Sequence, residues 1–364
     1  MLRLSFFTFD KEGKKLSTKH HKRVVYLDYL RVIATFAVII LHVSSIYWDE
    51  LGVSTRAWNI MNFYDAGVRW GVGIFVMISG VLFCSREASI EKLYKKNIFR
   101  MVVAFLFWSL FYALFNVITQ GYEQERFFRD LILGEYHMWF LFMIVGLYMI
   151  VPFLKKITES KQLLQYFLIL SLIFGFLIPS MIDLLTIISV DAATLLEQFV
   201  AKFKFNFVLG YVGYFVLGYY LSKQETKKPL LYYVFLGLVG YGMTYYFTKW
   251  SSLYLGEPCR IFYDNLTINV LLMSVSVFLV FKKVFAQAVV KSGISRLMIR
   301  ISDYSFGIYL VHIFILRLFE MSNVTALTIA PLRGVLVISL LIFVISYAIS
   351  ALLHHLPIVK KYLC

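Results

Sequence analysis

The stretch Tyr26–Trp48 reads YLDYLRVIATFAVIILHVSSIYW and is long and apolar enough to cross a lipid bilayer as an α-helix. It nevertheless carries Asp28, Arg31 and His42. Ionisable side chains are costly at membrane depth, so they usually face a bundle interior or a wet cavity. Arg31 and His42 are about three helical turns apart, which places them on one face with roughly 16 Å between them along the axis. We therefore expect the rest of the chain to pack around this helix.

The composition is typical of a membrane protein that crosses the bilayer several times. Of the 364 residues 60% are hydrophobic, and only 16% are charged, against about a quarter in ordinary globular proteins. The mean hydropathy is +0.76. The 35 Phe and 25 Tyr residues suit lipid-facing surfaces and the two interfacial belts.

The apolar runs predict an all-α polytopic membrane protein with about ten transmembrane helices. These spans cover residues 26–48, 66–84, 101–119, 137–154, 163–182, 205–221, 230–248, 266–284, 303–319 and 333–354.

The net charge is +15, and the positively charged residues are distributed as the predicted topology requires. Most of the 36 Lys and Arg residues fall in segments on one side, which the positive-inside rule assigns to the cytoplasm together with both termini. This distribution favours membrane topology over a nucleic-acid partner. The predicted organisation is a basic cytoplasmic arm at 1–24, a single transmembrane domain at 25–355 and a short cytoplasmic tail at 356–364.

Three histidines are predicted to lie at similar depth in the middle-to-outer part of the bundle. His42 lies in the outer half of the first span, His137 opens the fourth, and the ninth carries His312 with Ser305 two turns before it. Histidine suits proton transfer near neutral pH, so these residues can border one reactive cavity. For His137, which is closer to the interface with Trp139 beside it, a structural role is an equal alternative. No carboxylate accompanies the histidines at close helical spacing, so we predict no metal site.

A basic segment accompanies Arg31 on the predicted cytoplasmic side. It contains Arg86, Lys92, Lys95, Lys96 and Arg100, and could form a short helix at the membrane surface. One interpretation is topology and attraction to anionic lipid headgroups. The other is a docking patch for a phosphorylated cytoplasmic donor, since arginine grips phosphate through several N–H groups. Arg31 itself either contacts such a donor or pairs with Asp28 one turn earlier.

Two further groups of residues have alternative interpretations. The glycines of GVGIFVMISG at 71–80 predict close helix packing, and Ser79 within it either bonds a neighbouring helix or lines a cavity. Ionisable residues towards the outer helix ends either anchor the helices or contact a polar acceptor; they are Arg69, Arg317, Glu320 and Arg333.

Four short segments together resemble acyltransferase family 3, the integral membrane O-acyltransferases, and especially its bacterial surface-polysaccharide O-acetyltransferase branch. They are Arg31 with His42 after ten intervening residues, FVMISG at 75–80, HMWFL at 137–141 and YSFGIYLVH at 304–312. The family also tends to have a basic run and a proline at the start of the third span. Lys96 and Arg100 match the basic part, but no proline follows.

The resemblance implies transfer of an acyl group, commonly acetyl from acetyl-CoA, to a hydroxyl of a cell-envelope glycan or a lipid-linked saccharide. His42 would be the catalytic residue, acting as general base or carrying the acyl group itself. Arg31 and the basic segment (Arg86, Lys95, Lys96 and Arg100) would bind the acyl-CoA donor. His137, Trp139, Ser305 or His312 would orient the acceptor or stabilise the oxyanion. No permanently bound cofactor is expected, and the location would be the bacterial plasma membrane.

Two other functions are compatible with a polar path across the membrane. A transporter or flippase for a polyprenyl-linked sugar would also need such a path and basic inner loops, although we see no inverted repeat. A non-catalytic membrane subunit is the second. Whether the chain completes acyl transfer alone or hands the group to a separate protein is a further open alternative.

Overall fold

The computed structural model describes residues 23–86, 89–202, 210–288 and 293–363. Within them every regular element is a helix, and nine helices are long and apolar enough to cross a membrane. The prediction of an all-α polytopic membrane protein is thereby confirmed. The sixth predicted span falls partly on residues 203–209, outside the described part, and the predicted arm lies almost wholly outside it.

The helices follow one another with short connections. In chain order they are α1 (Val25–Ser45), α2 (Arg56–Val68), α3 (Gly71–Cys84), α4 (Ile90–Lys92), α5 (Phe99–Gln120), α6 (Gln124–Leu133), α7 (Trp139–Glu159), α8 (Lys161–Leu172), α9 (Ile178–Ile188), α10 (Val190–Ala201), α11 (Val212–Lys223), α12 (Leu230–Leu255), α13 (Ile268–Phe285), α14 (Gly293–Met321), α15 (Ala326–Ile329), α16 (Pro331–Leu353) and α17 (Pro357–Tyr362). Wider π-helical turns at Leu93–Ile98 and Ile173–Leu177 join α4 to α5 and α8 to α9, and a 3₁₀ turn at Tyr136–Met138 leads into α7.

Helix α1 is the central element of the bundle, as its sequence suggested. In its most apolar 18-residue window 72% of the residues are buried, against 17–50% in the other eight membrane-spanning helices. It packs against α14 and α3 most extensively, and against α2, α16 and α13 as well. Its first half contributes Leu30 and Ala34 to one hydrophobic core, and its second half contributes Ile39 and Val43 to another.

Several connecting segments differ from the sequence-based prediction. The basic segment is not a separate surface helix, because Ile90–Gln120 forms one continuous helical span. The predicted outer loop before Tyr136 contains α6, and the one after the fifth span contains α10. Both helices are too short to give a span-length apolar run. Helix α6 is held between Gly121 and Gly134, whose positive φ angles of 83° and 74° favour glycine at these turns.

The glycines of the 71–80 motif bring two helices together, as the sequence predicted. A Cβ built on Gly80 of α3 would overlap the carbonyl oxygen of Phe215 in α11, and one on Gly218 of α11 would overlap that of Met77 in α3. Backbone therefore meets backbone at this contact, which is how small residues promote helix association in membranes.

We expect Gly80→Ala to destabilise the protein by about 1–3 kcal/mol, because the added methyl group forces α3 and α11 apart. Thermal unfolding in detergent measures this. The matched control is Gly242→Ala in α12, where a Cβ meets nothing within 4 Å and helix propensity favours alanine. A melting temperature unchanged by Gly80→Ala would contradict the contact.

Candidate active site

A cavity of about 400 Å³ lies beside α1 and connects the two residues first singled out in the sequence. Arg31 borders it at one end and His42 at the other. Its walls come from α1, α3, α5, α7 and α14 and from the 3₁₀ turn before α7. The lining side chains include Phe75, Ile78, Ser79, Phe83, Arg100, His137, Trp139, Phe140, Ile144, Tyr148, Ser302, Asp303, Ser305, Phe306 and Tyr309. The chamber is therefore largely apolar in the middle and polar at its ends.

The three predicted histidines form one cluster, in which His42 and His137 border this end of the cavity and His312 is buried against both. The ring centroids of His42 and His312 are 5.2 Å apart, and those of His137 and His312 are 5.3 Å apart. The packing of α1 against α14 brings the first pair together, and the 3₁₀ turn before α7 adds the third ring. Three imidazoles from three distant parts of the chain thus form one cluster.

His312 has a defined hydrogen-bonding geometry. Its Nδ1 lies 2.6 Å from the carbonyl oxygen of Tyr309 one turn earlier in α14. Because a carbonyl only accepts, Nδ1 carries the proton in this contact, which leaves Nε2 as an acceptor in the neutral ring. That Nε2 is buried and has no hydrogen-bond partner within the described residues. His312 is therefore suited to accept a proton or a hydroxyl hydrogen bond rather than to donate to an oxyanion.

His137 is buried, only 2% exposed, and neighbouring side chains hold both its backbone and its ring in place. The hydroxyl of Tyr309 donates to the His137 carbonyl oxygen at 2.5 Å, while the rings of Tyr112 and Tyr309 stand edge-on to the imidazole. Neither ring nitrogen has a partner among the residues that the structure describes. Since buried polar atoms are usually paired, these nitrogens favour a role toward a bound molecule over a purely structural one.

At the other end of the cavity Arg31 is held by a short chain of hydrogen bonds. Its Nη1 donates to the Ser302 hydroxyl at 3.2 Å, and that hydroxyl donates to Asp28 at 2.8 Å. Asp28 is paired directly with Arg23, whose Nε and Nη2 lie 2.8 and 2.7 Å from its two oxygens. Within the described ranges no ion pair joins Arg31 to an acidic side chain. The interpretation that Arg31 pairs directly with Asp28 is therefore wrong. Arg31 thus keeps N–H groups available toward the cavity.

Arg23 also joins the two helices that frame this end. Its Nη2 lies 2.7 Å from an oxygen of Asp303 in α14 as well as from Asp28 in α1. The hydrogen bonds to Asp28 raise the pKa of the Arg23 guanidinium above its usual value, so it stays charged. The carboxylate of Asp28 is therefore neutralised by Arg23, and it does not neutralise the charge of Arg31 at the cavity.

The predicted basic segment divides into two groups. Arg100 borders the cavity, with its guanidinium 5.3 Å from the Phe306 ring. Arg86, Lys95 and Lys96 are exposed outside it, and Lys95 pairs with Glu91 at 2.8 Å. The structure therefore places Arg31 and Arg100 on the wall of the same cavity and leaves Arg86, Lys95 and Lys96 on the surface outside it.

The remaining predicted residues, Trp139, Ser305 and Ser79, all border the cavity. The Ser305 hydroxyl donates to the Ser302 carbonyl oxygen at 2.8 Å, and that of Ser79 donates to Phe75 in its own helix. Four further cavity residues were not predicted from the sequence: Tyr148, Ser302, Asp303 and Tyr309. Of these only Tyr309 had a usable signal, because it lies one turn before His312 on the same helical face. Within the described ranges no group of His, Cys, Asp and Glu side chains has the arrangement of a metal site.

Comparison with known protein families gives a match over nearly the whole chain. The family model Acyl_transf_3, described as an acyltransferase domain, matches residues 24–354. No curated protein and no solved structure matches the chain significantly. The matched range contains α1, the histidine cluster and both ends of the cavity.

Proposed function

Because the chain belongs to the acyltransferase 3 family and is a multi-pass membrane acyltransferase, we propose that it moves an acetyl group from cytoplasmic acetyl-CoA to a hydroxyl of a cell-envelope glycan or lipid-linked saccharide in the bacterial plasma membrane. The observation that supports this most is the single cavity with Arg31 at one end and His42 at the other. A coenzyme A thioester has the same polarity, since its phosphates and its reactive carbonyl lie at opposite ends of a long flexible arm.

The donor would enter with its phosphates at the predicted cytoplasmic end. Arg31 and Arg100 border the cavity there, and arginine binds phosphate through charge-assisted hydrogen bonds. The surface residues Arg86, Lys95 and Lys96 would attract the donor before it binds. The apolar middle of the chamber would then receive the arm and place the thioester near the histidines.

One chemical route is direct transfer. His42 takes the proton of the acceptor hydroxyl, and the hydroxyl oxygen forms a bond to the thioester carbonyl carbon. The C–S bond breaks as the tetrahedral intermediate collapses, and the protonated His42 returns its proton to the departing thiolate. His312 accepts a hydrogen bond through Nε2 and orients the acceptor, whereas an N–H of His137 is free to stabilise the oxyanion.

The second chemical route is covalent: His42 acts as the nucleophile and carries the acyl group before the acceptor reacts. His42 forms a bond to the thioester carbonyl carbon, the C–S bond breaks, and the departing thiolate takes the ring N–H proton. The acceptor hydroxyl oxygen then bonds to the acyl carbon, the N–acyl bond breaks, and the hydroxyl proton returns to the imidazole. The two routes differ in whether labelled protein accumulates when no acceptor is present.

The test is acyl transfer by the purified protein in lipid nanodiscs, supplied with radiolabelled acetyl-CoA and saccharide acceptors. We expect an alkali-labile ester on the saccharide and a matching amount of free coenzyme A. A flippase would move a lipid-linked saccharide across a vesicle membrane without forming any ester. Saccharide movement with no ester formed from any acyl-CoA would contradict the proposal.

A further inference from the structure

A second cavity of about 540 Å³ opens beside the histidine cluster, on the predicted outer side of the membrane. We call it the outer cleft and define it by Asn116 of α5, Arg129 of α6, Glu135 and Tyr136 of the turn before α7, Trp139 of α7 and Arg317 of α14. Its volume is within the range of small-molecule sites. The described residues give it a floor and walls from five segments of the chain.

The outer cleft meets the candidate active site at two aromatic residues. Trp139 borders both cavities. Tyr136 lines the outer cleft, and its ring centroid lies 5.4 Å from that of His42. A molecule bound in the outer cleft would therefore contact Tyr136, whose side chain lies between the cleft and the proposed catalytic imidazole of His42.

The polar groups of the outer cleft are planar and already organised. Arg317 donates to Glu135 at 2.8 Å and also to the Asn116 side-chain oxygen, while the Asn116 amide donates to Asp130 at 2.8 Å. This network joins α5, α6, the turn before α7, and α14. Planar amides, carboxylates and guanidinium groups of this kind bind adjacent hydroxyls through paired hydrogen bonds.

The charges of the cleft are balanced by partners on the protein. Arg317 is paired with Glu135, and Arg129 has Nε 3.6 Å from Asp130. A third arginine of the lining, Arg126, has Nη1 3.7 Å from a carboxylate oxygen of Glu123 and also donates to the Gly121 carbonyl oxygen at 2.5 Å. A phosphate or carboxylate ligand would have to compete with these partners, whereas neutral hydroxyl groups add to the network.

We propose that the outer cleft binds a neutral sugar of the acceptor, with the apolar face of the sugar ring on Trp139 and Tyr136 and its hydroxyls on Arg129 and the Glu135–Arg317 network. Its role as the acceptor subsite rests on the proposed acyltransferase function. Aromatic rings supply large contact area at low entropic cost, and the polar network supplies direction. Such a sugar would have one hydroxyl directed past Tyr136 toward His42.

The first experiment measures binding without any acyl donor. Maltotetraose and chitotetraose are titrated against the protein in nanodiscs, with tetragalacturonate as the charged probe. We expect a neutral tetrasaccharide to bind, and we expect Arg129→Ala and Trp139→Leu each to weaken it about tenfold. Arg56→Ala, an exposed arginine at the start of α2 that borders neither cavity, is the matched control. Binding by neither neutral probe, equal binding by the variants, or tighter binding of tetragalacturonate would overturn the inference.

A second experiment separates this inference from the proposed function. Steady-state transfer is measured with each variant as a function of saccharide and of acetyl-CoA. We expect Arg129→Ala to raise the saccharide KM about tenfold and to leave the acetyl-CoA KM unchanged. Ester formation with an unchanged saccharide KM would refute the cleft assignment alone. Cleft-dependent saccharide binding without ester from any acyl-CoA would refute the acyltransferase proposal for this acceptor and leave the binding site standing.

Discussion

Substituting His42→Ala is expected to reduce acyl transfer by about 10²-fold or more while leaving the protein folded. A positioned general base typically contributes 10²–10⁴-fold, and a nucleophile that carries the acyl group contributes more when it is lost. His42 is the imidazole of the cluster that lies on the central helix and borders the cavity directly. The measurement is initial-rate transfer from radiolabelled acetyl-CoA, with a melting temperature for each variant.

The matched control for His42 is His355→Ala, which removes an exposed imidazole just after α16. We expect wild-type rates from that variant. Incubation with labelled acetyl-CoA and no acceptor then distinguishes the two chemical routes. Label retained by the wild-type protein and absent from His42→Ala supports the covalent route, whereas no label on either supports direct transfer. A His42→Ala variant with more than a tenth of wild-type activity rules out both.

The second large effect is expected from Arg31→Gln, which should raise the acetyl-CoA KM about 10- to 100-fold. Charge-assisted hydrogen bonds to a phosphate contribute about 1.5–3 kcal/mol, and glutamine keeps only one NH₂ group and no charge. Arg31→Lys should recover only part of the loss, because lysine cannot make the two-pronged contact. The saccharide KM should stay constant in both variants.

The control for Arg31 is Lys156→Gln, whose ammonium group is exposed and pairs with Glu159 outside the cavity. It should leave the acetyl-CoA KM within about twofold, as an exposed ion pair contributes little. A structural role for Arg31 predicts a different result. If Arg31→Gln lowers the melting temperature and leaves the acetyl-CoA KM unchanged, the hydrogen bond to Ser302 is its function and donor binding is excluded.

The sequence predicted the parts of this site that depend on helix geometry. Arg31 and His42 share a face because their spacing is a whole number of turns, and His312 was placed at the depth of His42 by counting residues from the membrane edge. The cavity residues of α14 were harder, since Ser302 and Asp303 look like ordinary helix-end residues. Their contacts depend on how α1 and the preceding Arg23 pack against α14. A single sequence does not reveal whether Asp28 will bind Arg23 or Arg31.

The outer part of the structure was predicted least well for a related reason. Helix α6 is only ten residues long and mixes charged with apolar side chains, so hydropathy alone classed it as a loop. The Glu135–Arg317 pair joins residues 182 positions apart. Such a contact depends on the packing of α7 against its neighbours rather than on any local pattern.

The central position of α1 has a consequence for how the protein is made. This helix leaves the ribosome before the other spans, yet it is the most buried of the nine membrane-spanning helices in the described residues. The serine that links Arg31 to Asp28 follows Asp28 by 274 residues, a delay on the order of half a minute at ordinary translation rates. During that interval the polar side chains of α1 lack their α14 partners. Truncated chains that stop before α14 should therefore be held by membrane insertases or degraded, whereas chains that stop after it should accumulate.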